Sequence, residues 1–295
     1  MIEYLKKAGK IAKDVYEYSK NFLKPEVSLL EIAETLENKI KDLGGEPAFP
    51  VNISINEIAA HYTPTEDDNK VLKDGDIVKI DFGVHVEGYI VDIAYTVEIN
   101  DDKFKHLILA AKEALKRVKS ILKKDIELGF IGKNIEDEIK KYQYKPIYNL
   151  SGHKIERFLL HAGINIPNYN NNSKIKLSEG IYAIEPFATN GIGYVEDFKS
   201  SEIYSIVKYK PIREPSIRKF LDIIYEKYKN LPFAYRWLKN DFKNSINIKY
   251  ALNYLISNGI VKNYPILRER SGGIVSQFET TFLVNNGVHD LIAFI

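Results

Sequence analysis

Hydrophobic spacing at the start of the chain predicts two amphipathic helices. Apolar residues recur on one helical face over about residues 2–22. A second helix follows, and Ser28 and Glu31 have the spacing of a capping box at its start. Gly44-Gly45 is expected to end this helix. The positions predicted to face inward are Ile32, Leu36, Ile40 and Leu43.

The same order of elements recurs further along the chain. Two more helices are predicted over about 102–124 and 133–142, and a strand-rich region follows from about 146 to 208. The segment 209–268 is helical in character and is predicted to be an insertion, because strand-like sequence returns after it. We therefore predict a catalytic domain of residues 1–208 and 269–295 and a helical insertion subdomain of residues 209–268. A small nucleic-acid module is the less favoured alternative for the insertion.

A hairpin in the first half carries two acidic residues in apolar surroundings. The stretch KIDFGVHVEGYIVDIAY predicts two strands joined by a two-residue turn at Glu87-Gly88. In that register Asp81 lies opposite Ala94 and Asp92 lies opposite Gly83, so both carboxylates emerge on one face. Their repulsion can be relieved by a shared proton, a basic partner or a metal ion. Lys79 is the basic partner that these strands offer, and an Asp81–Lys79 ion pair is the alternative to a metal site.

An internal similarity links this hairpin to a later strand. LKDGDIVKID (72–81) and LSEGIYAIE (177–185) share a leucine, an acidic-glycine turn and an Ile-x-x-Ile strand that ends in a carboxylate. Chance resemblance of two turn-and-strand segments is the alternative explanation. The similarity predicts a pseudo-symmetric sheet with a site between its halves, to which Asp81 and Glu185 contribute from equivalent places.

Composition limits the chemistry of such a site. The 295 residues include no cysteine, so disulfides, thiolate nucleophiles and cysteine-based metal sites are excluded. With 42 Lys+Arg against 40 Asp+Glu, the formal charge of +2 gives no indication of nucleic-acid or membrane binding. No apolar run is long enough to span a membrane, and the N-terminus lacks signal-peptide character. We expect a soluble cytoplasmic protein.

Further carboxylates and histidines in apolar stretches complete a candidate donor set. His153 and His161 lie in SGHKIERFLLH, Glu185 lies before Pro186 at a strand end, and Glu279 lies within an apolar strand. Four carboxylates and one neutral histidine carry a charge of −4, which two divalent cations would cancel. This set therefore favours a two-metal hydrolytic site over acid–base catalysis alone.

Five segments resemble the successive motifs of methionine aminopeptidases, specifically type II. They are FPVNISINEIAAHYTP, DGDIVKIDFGVHVEGYIVDIAYTV, SGHKIERFLLHAG, YAIEPFAT and SQFETT. The resemblance covers nearly the whole chain and implies the α+β pita-bread fold, a mainly antiparallel sheet flanked by helices. Residues 209–268 stand where type II enzymes have their insertion. Without the long N-terminal extension of eukaryotic members, the chain resembles an archaeal form.

The resemblance also implies a role for each donor. Asp81 would bind one divalent ion, His153 and Glu185 the other, with Asp92 and Glu279 bridging. The ions would be Co, Mn, Fe or Zn, and Glu185 would handle the proton of the attacking water. His161 would steady the tetrahedral intermediate, and His61 would lie near the substrate main chain. Phe49, Leu160 and Tyr264 would line the pocket for the methionine side chain.

The implied function is metal-dependent removal of the initiator methionine from nascent proteins. Partners would be the N-termini of nascent polypeptides, with transient ribosome proximity, no nucleic acid, no membrane and a monomeric state. The alternatives are an X-Pro aminopeptidase or prolidase, and a non-catalytic binding protein of the same fold. One departure from the family pattern is Thr280, where a histidine or another polar residue is usual, so the surroundings of Glu279 are open to question. His85, His106 and His289 are expected to be structural.

Overall fold

Helices surround several antiparallel sheets in the computed structural model, which describes residues 1–242 and 246–295. The helices of these residues are α1 (Ile2–Ser19), α2 (Leu29–Asp42), α3 (Lys105–Ile121), α4 (Leu128–Lys141), α5 (Pro215–Tyr228), α6 (Tyr235–Phe242) and α7 (Ile248–Ser257). No helix in this part of the chain has the length and apolar character needed to cross a membrane.

The strands are short except for the first-half hairpin and the pair that frames the insertion. They are β1 (Glu46–Pro47), β2 (Asn52–Ile55), β3 (Ile58–Ala60), β4 (Ile77–Val86), β5 (Tyr89–Glu98), β6 (Lys145–Pro146), β7 (Ser151–Ile155), β8 (Asn165–Pro167), β9 (Gly180–Ile184), β10 (Phe187–Thr189), β11 (Val195–Ile206), β12 (Phe233–Ala234), β13 (Val261–Glu269), β14 (Val275–Gln277), β15 (Thr280–Val284) and β16 (Val288–Asp290). Neighbouring strands run antiparallel, in the orders β1-β4-β2 with β5 on β4, β14-β10-β6, β12-β11-β13-β3 and β16-β15-β9-β7-β8. The predicted α+β class with a mainly antiparallel sheet is confirmed.

The predicted helices exist, but several of their ends differ. Helix α1 ends at Ser19 rather than 22, and α3 is shorter than 102–124. Helix α4 begins at Leu128, five residues before the predicted start at 133. Gly129 and Gly132 lie inside it, where glycine is intrinsically unfavourable. A Cβ at Gly132 would collide with the backbone carbonyl of Tyr169, so the glycine allows the helix to pack directly on another backbone segment.

The predicted capping box at the start of α2 is wrong. Ser28 is the N-cap residue in an extended conformation, but its side chain makes no capping hydrogen bond. Instead Ser28 forms a β-bridge with Val71, and the Leu29 amide donates to the carbonyl of Lys70 at 3.0 Å. Backbone pairing with the segment before β4 therefore satisfies an amide that a side-chain cap would otherwise bind.

The pseudo-symmetry predicted from the internal similarity is present in the fold. Helices α2 and α4 each have 14 residues, and each begins at a bridge to the segment before a central strand, Ser28–Val71 in one half and Glu127–Lys176 in the other. Each helix is followed by a two-residue strand that ends in proline, β1 or β6. The two halves thus repeat one helix-and-strand unit.

Residues from the predicted insertion form a hydrophobic cluster of their own. It joins α5, α6 and α7 with residues between Ile206 and Val261. The helical prediction fails for the last part of the segment, because α7 ends at Ser257 and Val261–Glu269 is strand β13, paired with β11. Its alternating pattern is short and interrupted by Pro265, which hid the strand in the sequence. The boundary predicted after residue 268 lies inside β13, and the division into domains stays a prediction.

A buried ion pair joins residues of the predicted insertion to the first half. The Arg236 guanidinium on α6 donates to Glu37 on α2, and the Trp237 indole donates to the same carboxylate at 2.7 Å. Arg236 also donates to the Thr63 hydroxyl at 2.7 Å. Because breaking a buried pair leaves an uncompensated charge, this contact holds α6 firmly against α2.

Candidate metal centre and substrate cavity

All ten residues predicted to form the site line one cavity of about 220 Å³. The cavity lies between the two halves of the fold and is also bounded by Ile203 and Pro232. The predicted residues in its wall are Phe49, His61, Asp81, Asp92, His153, Leu160, His161, Glu185, Tyr264 and Glu279.

The first-half hairpin has the register predicted from the sequence. Asp81 pairs with Ala94, and Gly83 pairs with Asp92. The turn residues Glu87 and Gly88 have φ angles of 53° and 82°, as a tight two-residue hairpin requires. Because side chains alternate along a strand, Asp81 and Asp92 emerge on the same face of this hairpin and enter the cavity together.

The other half of the fold brings three more donors to the same place. His153 lies within β7, and Glu185 follows the last residue of β9, directly before Pro186. Glu279 precedes β15 and is held against the hairpin, because its amide donates to the Ala94 carbonyl at 2.8 Å. The two halves therefore meet at the donor set.

Three of these donors are close enough to share one metal ion. Asp92, His153 and Glu279 each offer a ligand atom, and these atoms lie within 4.8 Å of one another. His153 Nε2 is 3.6 Å from Asp92 Oδ2 and 3.9 Å from Glu185 Oε1. Asp92 thus lies beside both His153 and Glu279, and its role as a bridging ligand stays a prediction.

Unpartnered buried atoms test whether the donor set fits a cation. Asp81 Oδ1, Asp92 Oδ1 and Glu279 Oε1 are buried without a hydrogen-bond partner among the described residues. Buried polar atoms are normally paired, and a cation held between these carboxylates would pair them. Carboxylate oxygens with one imidazole are donors that divalent first-row metals accept. The residues present therefore fit a divalent metal site.

Electrostatics point the same way. Burial raises the pKa of Asp81, and the neighbouring Asp92 raises it further. Burial and Asp92 likewise raise the pKa of both Glu185 and Glu279. Crowded carboxylates of this kind need protons or a cation to neutralise them.

The alternative of an Asp81–Lys79 ion pair is wrong. Lys79 Nζ is buried and donates to the backbone carbonyls of Asn56 and Val275, both at 2.9 Å. Burial lowers the pKa of Lys79 to about 7. The lysine thus ties β14 to the turn after β2, and Asp81 is left to the cavity.

Gln277 is a site neighbour that the sequence analysis missed. Its side-chain amide donates to Glu279 Oε2 at 3.1 Å, which partly offsets the rise that burial and the neighbouring acids produce in the pKa of Glu279. Its own Oε1 atom is buried without a partner. Strand alternation was the available signal, since Gln277 and Glu279 are two residues apart and share a face.

Two histidines face the cavity from different sides. His61 has a positive φ of 66°, and its Nδ1 lies 3.0 Å from the Pro265 carbonyl, a contact in which the ring nitrogen donates. The His161 ring centroid is 4.3 Å from that of His153. Burial lowers the pKa of His61. Desolvation within the cavity lowers the pKa of His161, and the neighbouring His153 lowers it further. Both rings are therefore neutral at neutral pH.

The apolar residues of the cavity form one wall beside the donors. Phe49 is seated by Gly83, because a Cβ at Gly83 would lie 2.5 Å from its ring. Leu160 is buried, and Tyr264 stacks edge-on against His61 at 5.3 Å between ring centroids. The lining also includes polar residues that the sequence analysis did not single out, namely Asn52, Asn149, Ser151 and Asn165.

The chain is similar to known metallopeptidases over most of its length. Residues 3–218 match the model of metallopeptidase family M24. The chain belongs to metallopeptidase family M24. It is 50% identical over 285 residues to a methionine aminopeptidase from Pyrococcus horikoshii, with 96% of each chain covered.

Solved structures show the same fold at low sequence identity. A thermophilic Arx1 superposes with a TM-score of 0.84 and 16% identity, over 99% of this chain and 91% of the other. A methionine aminopeptidase from Rickettsia prowazekii gives a TM-score of 0.69 at 22% identity, over 98% and 95% of the two chains. The predicted pita-bread fold of the M24 family is confirmed.

The three other histidines and Thr280 lie outside the cavity. His85, His106 and His289 are absent from the cavity lining. Thr280, the departure from the family pattern, is buried, and its hydroxyl donates to Asp290 Oδ1 at 3.0 Å. Its side chain therefore supports the C-terminal strands of this M24 protein rather than the donor set.

Proposed function

We propose that this M24 protein is a methionine aminopeptidase that removes the N-terminal initiator methionine by metal-dependent hydrolysis. The observation that carries the proposal is the single cavity in which unpartnered carboxylate atoms and an imidazole lie together with apolar side chains. The methionine aminopeptidase that is 50% identical over 96% of its own length supports the same reaction.

The donor set is proposed to hold two divalent ions, which would be Co, Mn, Fe or Zn. Asp81 would bind one ion, His153 and Glu185 the other, and Asp92 and Glu279 would be shared. When bound, such ions polarise a carbonyl and make water a nucleophile at neutral pH. The central position of Asp92, which raises the pKa of Asp81, Glu185 and Glu279, supports its role as a shared ligand.

Glu185 is proposed to take up and return the proton of the attacking water. It is the more accessible carboxylate, since its side chain is 14% exposed against 4% for Asp92. Its position between β9 and Pro186 directs it toward the cavity at a strand end. A carboxylate beside the attacking water can take its proton and return it to the leaving amine.

The neutral histidines are proposed to hydrogen-bond to the substrate. His161 would donate to the oxygen on which negative charge develops in the transition state, where a fixed donor stabilises most. His61 uses Nδ1 toward Pro265, so its Nε2 is an acceptor for a substrate amide. Phe49, Leu160 and Tyr264 would enclose the methionine side chain, for which an apolar wall is suited.

The cellular setting is proposed from the substrate. Initiator methionine is removed from nascent chains, so the protein would work transiently near the ribosome, in the cytoplasm and as a monomer. No nucleic-acid or membrane partner is proposed, in keeping with a formal charge of +2.

The test is release of methionine from a Met-Ala-Ser peptide by purified protein with each divalent metal. We expect release that needs metal and is lost with N-acetylated Met-Ala-Ser, because a free amino terminus is required. Cleavage of an Ala-Pro peptide in preference would support the X-Pro alternative. Stoichiometric metal binding with no release from any peptide would contradict the proposal and support a binding protein.

A further inference from the structure

The loop that carries His161 is attached to the tip of the first-half hairpin. The Phe158 amide donates to the Gly88 carbonyl at 2.8 Å, and Arg157 Nε donates to the Glu87 carbonyl at 2.9 Å. The same hairpin carries Asp81 and Asp92 a few residues away. The same hairpin therefore positions two of the donors and anchors this loop.

The Phe158 ring completes the attachment. It lies on Gly88, where an added Cβ would collide with the ring, and its centroid is 5.8 Å from that of His85. His85 Nδ1 accepts from the Gly88 amide at 3.2 Å, which fixes the turn beneath the ring. The Arg157 guanidinium stands 5.4 Å from the ring centre on another side. The ring is thus held by Gly88 and His85 of the hairpin and by Arg157 of its own loop.

Backbone strain marks Phe158 as special. Its φ of 55° is in the left-handed region, which a bulky aromatic residue rarely adopts. Such strain persists only where the surroundings over-determine it, and it is concentrated at functional sites. Here the strained residue stands three positions before His161, at the bend that turns the chain back toward the cavity.

His161 itself has little else to fix it. No hydrogen bond to its ring occurs among residues 1–242 and 246–295, and its ring centroid lies 4.3 Å from that of His153. Its neighbour Ala162 is tied by a backbone bond to the Lys154 carbonyl at 2.8 Å. The location of the His161 ring over the donor set therefore depends on how the loop is anchored.

We propose that Phe158 is a positioning residue for His161, and that its packing on Gly88 sets the distance of the His161 ring from the donor set. The inference rests on the proposed aminopeptidase function. Without the ring, the loop would keep its backbone bond but would sample more orientations, and His161 would meet the reacting oxygen less often. Small misplacements of a catalytic group cost large factors in rate.

The test is a double-mutant cycle on methionine release. Phe158→Ala should lower kcat about 10-fold with a KM change below about 2-fold, since a misplaced donor acts on the transition state. In a His161→Ala background, the same change should leave kcat within about 2-fold, because the group that it positions is already gone. Phe158→Tyr should restore most of the wild-type kcat.

Phe22→Ala is the matched control, since Phe22 is also half-buried against the main core but does not line the cavity. It should lower the melting temperature by a similar amount and leave kcat unchanged. Equal losses from Phe158→Ala with and without His161 would overturn the inference, whereas absence of release by the wild type would instead overturn the proposed function. If Phe158→Ala does not fold, Arg157→Gln in the same cycle tests the same attachment.

Discussion

The two halves of the fold build the same unit but use it differently. Pro47 of β1 faces Val84, and Pro146 of β6 faces Ala188. Three residues before Val84 stands Asp81, and three residues before Ala188 stands Glu185. These two acids therefore occupy equivalent places, as the internal similarity predicted.

The difference lies in the strand that carries each acid. In the first half, β4 is one continuous strand of 10 residues, and Asp81 is in its interior. In the second half, the equivalent stretch is divided into β9 and β10, with Glu185 and Pro186 between them. Because proline cannot donate to a sheet, it interrupts the ladder at the acid itself. Both carboxylates line the cavity, but Asp81 projects from within a continuous strand and Glu185 from a break between two strands.

The partner positions differ as well. Gly83 faces Asp92 in the first half, and the equivalent Phe187 faces Gln277 in the second. An acid on one side therefore corresponds to an amide on the other, and the amide donates to the nearby Glu279. A second acid in place of Gln277 would increase the negative charge of the site, whereas the neutral amide does not. The repeated unit therefore provides the scaffold, and the residues that differ between the halves give each half its own chemical role.

The largest predicted effect is the loss of activity and metal binding on substitution of Asp92, compared with substitution of the equivalent Gln277. Asp92→Asn should lower kcat/KM about 1,000-fold and abolish tight metal binding, because it removes the carboxylate common to the donor set. Gln277→Leu, at the equivalent place, should lower metal affinity only about 10-fold, since it removes a hydrogen bond to a ligand rather than a ligand. Metal titration by calorimetry and methionine release measure both.

The melting temperature of the metal-free proteins supplies the control for this pair. Asp92→Asn should raise it, because one of several mutually repelling buried charges is lost. A fall in metal-free stability together with retained metal binding would contradict the central place of Asp92.

A moderate effect is predicted for the pH dependence of metal-free stability. The raised pKa values of Asp81, Glu185 and Glu279 mean that the folded state holds protons that the unfolded state has released. Stability is therefore fully present below the unfolded pKa of about 4.5 and is lost as pH rises through the folded values. Thermal unfolding between pH 6.5 and 8 should show a falling melting temperature for the metal-free protein.

Two comparisons isolate that effect. Saturating divalent metal should remove the fall, and Asp92→Asn should reduce it, since Asp92 raises all three pKa values. His85 acts oppositely, because burial lowers its pKa to about 4 and its protonation destabilises the fold between about pH 6.5 and 4. The chosen range lies above that window. Lys79 opposes the fall within the range, because burial lowers its pKa to about 7 and stability then rises with pH, so the metal-saturated protein is the reference. A metal-free protein whose melting temperature does not fall relative to that of the metal-saturated protein from pH 6.5 to 8 would contradict the prediction.

Much of the site could be predicted from sequence because strand alternation is strict. A two-residue turn fixed the register of β4 and β5, and that register alone put Asp81 and Asp92 on one face. The residues expected to line the cavity came from motif resemblance as well, and their roles as ligands and catalysts stay predictions. Gln277 had a local signal, since strand alternation puts it on the face of Glu279, but its place opposite Phe187 depends on the pairing of β14 with β10, which no local pattern reveals.

The errors have a common physical cause, which is tertiary contact overriding local preference. Ser28 had the sequence of a side-chain cap, but backbone pairing with Val71 was available and replaced it. Gly129 and Gly132 weaken the helical pattern at the start of α4, but they allow the backbone near Tyr169 and Ser173 to pack directly on the helix. Lys79 was matched to the nearest acid, whereas the fold supplies two carbonyls from distant segments.

The smallest predicted effect concerns Thr280, which lies beside Glu279 but on the opposite face of the strand that pairs with β9. Thr280→Val should lower the free energy of unfolding by about 1 kcal/mol, because one hydrogen bond to Asp290 is lost while that carboxylate keeps other partners. Methionine release should change less than 2-fold, since the hydroxyl does not contact the donor set. Thr280→Ser retains the hydroxyl and is the control. A loss of metal affinity in Thr280→Val but not in Thr280→Ser would show that the two faces of this strand communicate.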